Sequence, residues 1–203
     1  MQGLAIRAIQ GFVTDTYGAD VWREVAQAAG LERQAFEAML GHDPALTRRV
    51  MAAAAGVLGR PAPEVLEDIG TYLVSHPHLE ALRRLLRFGG EGFVDFLHSL
   101  DDLRDRARLA VSDLELPALE LHDHAADSYS LWCRTSGAER PDWLPEGFGH
   151  VMLGVLRAMA DDYGALVLLD HHGAEEGGEV IGITLVEPAF AEGRRFDLGR
   201  RAG

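Results

Sequence analysis

The least expected chemistry in the sequence lies in the stretch FVDFLHSLDDLRDRA, residues 93–107, where an arginine interrupts an apolar helical pattern. At about 100° of rotation per residue, Arg104 falls within a sector of about 120° that otherwise holds apolar side chains. His98 points about 120° away from Arg104. The pattern therefore predicts that a helix over residues 93–107 directs a guanidinium inward. The apolar members of the sector are Phe93, Phe96, Leu97, Leu100 and Leu103.

An inward guanidinium needs a partner, because removing an unpaired charge from water costs several kcal/mol. Three partners are open for Arg104. They are a nearby carboxylate (Asp101 or Asp105), the carboxylates of a bound ligand, or solvent if the helix ends one turn early. Arginine stays protonated at physiological pH and offers no lone pair to a metal ion.

Other side chains could act as metal donors. His76 and His78 flank Pro77 in the stretch SHPHLE, and either imidazole could ligate a metal, although loop histidines are also commonly solvated. Cys133 could be a thiolate ligand or a buried structural thiol. A zinc site is a further alternative if distant segments converge, namely Asp170, His171 and His172 with His122 and His124.

Composition narrows the functional class. The 203 residues include 19 basic and 32 acidic side chains, and the formal charge of −13 disfavours nucleic acid and anionic membranes as partners. The sequence has no GxSxG, HExxH, GxGxxG or Walker motif, so we expect a protein that is not an enzyme. The sequence has a single cysteine, and none of its apolar stretches approaches the length of about 20 residues that spans a bilayer. We therefore expect a cytoplasmic protein.

The elements that must position these residues differ between the two halves of the sequence. Apolar residues at helical spacing, with glycine and proline stops, predict helices in the first half. After residue 110 the alternation indicates strands, with one further helix. The predicted helices cover residues 3–17, 19–29, 33–40, 45–58, 63–76, 79–87, 93–107 and 150–164, and the predicted strands cover 115–121, 128–134, 165–170 and 179–186.

This order of elements predicts an α+β fold, with a helical N-terminal half packed on a C-terminal four-stranded antiparallel sheet that has an intervening helix. We expect one domain over residues 1–190, divided into a helical part (1–90) and a part with the Arg104 helix and the sheet (91–190). Residues 191–203 are expected to form a flexible basic tail.

Several stretches also form a family pattern when taken in order. They are MQGLAIRAIQGFVTDTYGADVWREVAQAAGL, PEVLEDIGTYLV, FVDFLHSLDDL, LELPAL and GFGHVMLGVLRAMADDYG. Together they resemble the heme-nitric oxide/oxygen binding (H-NOX) family, the heme sensor domain of soluble guanylate cyclase and its relatives. The resemblance covers roughly residues 1–186 and implies the same α+β fold.

The resemblance implies a heme pocket between the two halves, and it also shows two altered motifs. The family's proximal histidine falls at Arg104. The family's Tyr-x-Ser-x-Arg motif, which holds the heme propionates, falls at Cys133, Thr135 and Gly137, and an offset alignment preserves only its arginine, as Arg140. The pocket lining implied by the resemblance is Ala5, Ile6, Ile9, Leu73, Leu100 and Pro117, with Pro117 as the residue that packs on the porphyrin.

By this resemblance the chain is a sensory domain that binds heme or a similar ligand, with unusual or absent axial ligation. We expect it to signal to a separate protein, a histidine kinase or a cyclic-nucleotide enzyme. His76 or His78 could reach the iron from the distal side. The alternative is a heme-free domain that acts as a protein-interaction module, or that senses a carboxylate-bearing ligand through Arg104.

Overall fold

The structure is a computed structural model that describes residues 2–31, 44–110, 116–134, 147–175 and 177–186. The predicted helix 33–40, Arg140 and the tail 191–203 lie outside these ranges. Within them, no helix has the length and apolar content that crossing a membrane requires.

Helices build the N-terminal half, and glycine and proline set their ends as predicted. Gly18 separates the first two helices at φ 101°, a backbone conformation that residues with a Cβ rarely adopt. Pro61 precedes the helix that ends at Ser75, and Pro77 follows it. The helices are α1 (Gln2–Tyr17), α2 (Ala19–Ala28), α3 (Pro44–Leu58) and α4 (Ala62–Ser75).

The prediction of one helix over residues 93–107 is wrong, because the structure has two. After α5 (Glu80–Arg87), the chain forms α6 (Phe93–His98) and α7 (Leu103–Ala110), separated by a tight turn. In the turn, backbone N–H groups donate to the carbonyl three residues back, at 3.0 Å both for Leu100 to Leu97 and for Leu103 to Leu100. Leu100 and Leu103 remain buried, which is why the apolar spacing runs through the break.

The C-terminal half contains the predicted antiparallel sheet of four strands, in the order β1-β2-β4-β3. The predicted first and third strands end too early, because both continue beyond residues 121 and 170 through histidine-containing segments. A helix joins the two hairpins and ends at Gly164 (φ 69°) as predicted. The elements are β1 (Leu119–Ala125), β2 (Ser128–Cys133), α8 (Phe148–Tyr163), β3 (Val167–Glu175) and β4 (Gly178–Leu185).

Two apolar cores lie side by side. One is enclosed by α1 to α4, and the other by α6, α8 and the sheet. The cores meet where α4 packs directly on α8. A Cβ added at Gly70 would strike the carbonyl of Val151, and one added at Gly154 would strike the carbonyl of Glu67. Small residues therefore let the two helix backbones touch, and this contact joins the helical half to the sheet half.

Candidate functional site

Arg104 lies on α7 next to the side chains that fix this helix to the core. Leu103 and Ala107 are buried, with 6% and 1% of their surface exposed, and Arg104 is half-buried. The Nε atom of Arg104 is excluded from solvent and has no hydrogen-bond partner in the described part of the chain. The Nε donor of Arg104 is therefore buried and unsatisfied.

The two carboxylates considered as partners of Arg104 are engaged elsewhere. Oδ1 of Asp101 accepts a hydrogen bond from the backbone N–H of Leu121 at 2.8 Å. Asp105 is exposed and lies 3.9 Å from a guanidinium nitrogen of Arg108. Of the three partners that the sequence leaves open, ligand carboxylates and solvent remain.

Arg106 has a structural role that the sequence did not reveal. Its Nη2 donates to the carbonyl of Ser99 at 2.7 Å and to Oγ of the same residue at 3.0 Å. Its Nη1 donates to the carbonyl of Leu85 in α5 at 3.4 Å. Arg106 therefore satisfies the carbonyl at the end of α6 and ties the turn to α5. The only sequence signal was the run LRDRAR (residues 103–108), which does not distinguish Arg106 from Arg104.

The residues implied as pocket lining are divided between the two cores. Those on α1, Ile6 and Ile9, are buried in the core of the helical half, and Leu73 on α4 packs against it. Leu100 belongs to the core of the sheet half, and Pro117, just before β1, is buried. Each half of the molecule thus contributes apolar residues to the proposed lining.

These residues do not fit heme held in the family manner, by an imidazole at position 104. Arg104 has no lone pair to donate. Cys133 is fully buried, and burial, with a contribution from Glu179, raises the pKa of its thiol well above the ordinary range, so the thiolate that binds metals is disfavoured. His98 faces outward as predicted, with Nε2 3.8 Å from a carboxylate oxygen of Asp123.

His76 and His78 converge on the carboxylate of Asp15, at the C-terminal end of α1. Oδ2 of Asp15 lies 3.6 Å from Nδ1 of His76 and 4.0 Å from Nδ1 of His78. The Tyr72 hydroxyl donates to the same oxygen at 2.7 Å. Burial and this hydrogen bond raise the pKa of Tyr72 to about 12. The partner Asp15 was not predicted, because it is remote in sequence. We call Asp15, His76 and His78 the Asp15 cluster.

A second pair of histidines connects α8 to the sheet. The rings of His150 and His171 stack with centroids 4.0 Å apart. His150 lies 3.1 Å from Glu67 on α4, and His171 lies 3.1 Å from Glu179 on β4. The buried Glu179 also accepts the backbone N–H of Gly149 at 2.9 Å, which anchors the first turn of α8. Sequence reasoning missed His150 and Glu179.

The zinc alternative built on two strands is wrong. The strand with His122 and His124 and the strand with His171 and His172 are the two edges of the sheet. They are separated by β2 and β4, which at about 4.8 Å per strand places them roughly 14 Å apart. A single metal ion cannot bridge that distance.

The fold agrees with the comparisons with known proteins. The model of the Haem-NO-binding (HNOB) family matches residues 2–170. The chain belongs to the HNOB family. Solved H-NOX structures share its fold. The unliganded Fe(II) protein from K. algicida has a TM-score of 0.70 and 15% identity, over 92% of this chain and 97% of that one. The Fe(II)NO protein from S. oneidensis has a TM-score of 0.69 and 15% identity, over 92% of this chain and 100% of that one.

Curated proteins with a similar sequence include soluble guanylate cyclases. Gcy-31 of Caenorhabditis elegans is 25% identical over 162 residues, which is 80% of this chain and 22% of that protein. Soluble guanylate cyclase 89Db of Drosophila melanogaster is 23% identical over 163 residues, 80% of this chain and 23% of that protein. The chain therefore spans less than a quarter of the length of either relative, and the cyclase catalytic part lies outside the match.

Proposed function

We propose that this chain is a cytoplasmic sensory domain that binds a carboxylate-bearing ligand of the tetrapyrrole class between its two halves. Arg104 is the residue that contacts the carboxylate. The observation that carries the proposal is the guanidinium of Arg104, whose Nε is buried and unsatisfied and which, unlike that of Arg106, makes no hydrogen bond among the described residues. The family supports the ligand class, and the relatives support a sensory role.

The Nε of Arg104 is an unsatisfied hydrogen-bond donor. A buried N–H without an acceptor costs about 1–3 kcal/mol, and an incoming carboxylate would recover that energy. The planar guanidinium also matches a carboxylate through two parallel hydrogen bonds, which gives direction as well as attraction. Tetrapyrroles combine such carboxylates with a large apolar face, and the proposed lining supplies the complementary apolar surface through Ile6, Ile9 and Leu100.

Heme is the member of this class that the family implies. At this site heme would be held by its carboxylates and its apolar faces, without an imidazole at residue 104. Cys133 and Arg140 stay proposed contacts, and His76 or His78 stays a proposed distal ligand. Bound heme would supply the iron that recognises a diatomic gas.

Contacts of the segment before Arg104 offer a route for the signal. The carboxylate of Asp101 accepts a hydrogen bond from the backbone N–H of Leu121 on β1, and His98 lies near Asp123 of the same strand. Arg106 connects α7, the helix that also carries Arg104, to α5. Binding of a ligand carboxylate to the guanidinium of Arg104 would therefore shift α7 relative to β1 and α5. We propose that a separate protein detects this shift. A cyclic-nucleotide enzyme is favoured over a histidine kinase because the relatives are guanylate cyclases.

Titration with hemin and with metal-free protoporphyrin IX tests the proposal. We expect the wild-type chain to bind both, because iron is not the main contact. Arg104→Leu should weaken both affinities about tenfold or more, since tenfold corresponds to 1.4 kcal/mol. The matched control is Arg108→Leu, an arginine on the same helix that is more exposed and lies near Asp105. It should leave both affinities unchanged.

Arg104→His tests the alignment with the family. With hemin and a reductant, this variant should give a five-coordinate ferrous spectrum of histidine ligation that the wild-type chain lacks. If the wild-type chain takes up neither porphyrin, the tetrapyrrole proposal is wrong. The heme-free interaction module is then the better description, and the missing iron donor at position 104 already favours it.

A further inference from the structure

We propose that the Asp15 cluster is a binding site for one divalent transition-metal ion. The site is separate from the region around Arg104, so a metal ion bound by both His76 and His78 would exclude their alternative role as a distal heme ligand. Ile6 and Ile9 line that region on α1, whereas Asp15 lies six to nine residues further along the helix, which is about 9–13 Å along the axis. The inference does not depend on the proposed sensory function.

The donor atoms already lie close to the spacing that a metal requires. Zn²⁺ binds imidazole nitrogen and carboxylate oxygen at about 2.0–2.2 Å in tetrahedral geometry, which places neighbouring donors about 3.3–3.5 Å apart. The two measured distances from Asp15 are 3.6 Å to His76 and 4.0 Å to His78, and the three donor atoms all lie within 4.8 Å of one another. Small side-chain rotations would close the site.

The Nδ1 atom of His76 could bind a metal ion. This atom is excluded from solvent and has no hydrogen-bond partner among the described residues. At 3.6 Å it is too far from Asp15 for a hydrogen bond, so the orphaned nitrogen carries the cost of burial without compensation. A metal ion between the two residues would accept the nitrogen lone pair and remove that cost.

The surroundings hold two of the three ligands in place. Tyr72 donates its hydroxyl to Asp15, and the ring of His76 packs on the ring of Tyr72 with centroids 4.7 Å apart. Gly11 leaves the room that the Tyr72 hydroxyl needs, because a Cβ there would lie 3.0 Å from it. Such supporting hydrogen bonds orient metal ligands. Pro77 then starts the short helical turn that brings His78 beside His76, with ring centroids 4.9 Å apart.

The donor set selects the class of metal. Two imidazoles and one carboxylate suit Zn²⁺, Fe²⁺, Co²⁺ or Ni²⁺, whereas Mg²⁺ and Ca²⁺ prefer oxygen ligands throughout. The His78 side chain is 81% exposed, so the site opens to solvent on that side. Three protein ligands leave at least one coordination position for water or an external ligand.

The test is calorimetric titration of the untagged full chain with Zn²⁺, and titration with Co²⁺ followed by its visible absorption. We expect one equivalent to bind, with a Co²⁺ spectrum of low coordination number and a higher Tm. His78→Ala and Asp15→Asn should each weaken binding at least tenfold. His78 is exposed, so its variant should fold normally. Tyr72→Phe should weaken binding more modestly, because it removes only the support for Asp15.

Two other histidine–carboxylate pairs provide matched controls. His98 lies 3.8 Å from Asp123, and His122 lies 3.8 Å from Glu120, and neither pair belongs to a three-donor group in the described part of the chain. His98→Ala and His122→Ala should bind Zn²⁺ as the wild type does. Equal affinity in wild type and His78→Ala, or no stoichiometric binding, would overturn the proposal. Arg104→Leu should keep the metal, which separates this inference from the ligand proposal.

Discussion

At the scale of single residues, environment rather than residue type decides the chemistry here. Arg104 and Arg106 are two positions apart on one helix and each has a buried Nε without a partner among the described residues, yet the Nη atoms of Arg106 donate to backbone carbonyls. The sequence singles out Arg104, because the spacing of the apolar residues predicts an inward direction for its side chain. It could not predict the role of Arg106 or the Asp15 cluster, because both depend on contacts between separate segments.

Cys133 gives a test at this scale. It is buried, and the pKa of its thiol is raised, so the folded chain holds a proton that the unfolded chain releases above about pH 8.5. Stability is therefore complete below that pH and falls above it, by up to about 1.4 kcal/mol per pH unit. Urea unfolding between pH 8 and 9.5 should show this slope in the wild type, and Cys133→Ala should lack it.

A thiol reagent provides an independent check on the same residue. DTNB should label Cys133 only when the chain unfolds, because the sulfur is inaccessible in the folded state. Prompt stoichiometric labelling of the native protein would contradict the assigned burial.

At the scale of elements, sequence patterns predicted existence and order better than boundaries. Alternation predicted the four strands, and Gly164 predicted the end of α8. The sequence pattern did not predict the turn between α6 and α7, because Leu100 and Leu103 remain buried and continue the helical spacing of apolar residues through it. β1 and β3 extend further at their C-terminal ends than expected, because backbone pairing across each hairpin continues the strands through polar and histidine residues.

Arg106→Met tests how the turn is held. The variant keeps the apolar stem but loses the hydrogen bonds to Ser99 and Leu85, so we expect a loss of about 1–3 kcal/mol in the free energy of unfolding. Amide hydrogen exchange should accelerate first in residues 99–103. Arg108→Met, an exposed site on the same helix, should change the free energy by less than about 0.5 kcal/mol.

At the scale of the whole molecule, the contact between α4 and α8 joins the two cores. No spacing rule reveals this contact, because a glycine inside a helical pattern by itself only lowers helix propensity. The structure shows that Gly70 and Gly154 are required by close approach to a facing backbone. The fold family and the order of elements were predictable, whereas the closeness of the halves was not.

Gly70→Ala should therefore destabilise the molecule by about 1–3 kcal/mol, because the added methyl group pushes the two helices apart. The matched control is Gly56→Ala on α3, where a Cβ meets nothing within 4 Å. There the substitution should stabilise by about 0.5–1 kcal/mol through helix propensity. Chemical denaturation measures both. Equal effects at the two sites would show that α4 and α8 do not touch as described.

The hydrogen bond from Leu121 to Asp101 also affects how separate molecules meet. β1 is an edge of the sheet, and an unpaired N–H on such an edge is a template for adding a strand from another molecule. The Asp101 carboxylate occupies that donor and places a negative charge along the edge. The side chain that steadies the turn before Arg104 therefore also protects the protein against intermolecular β-pairing and aggregation.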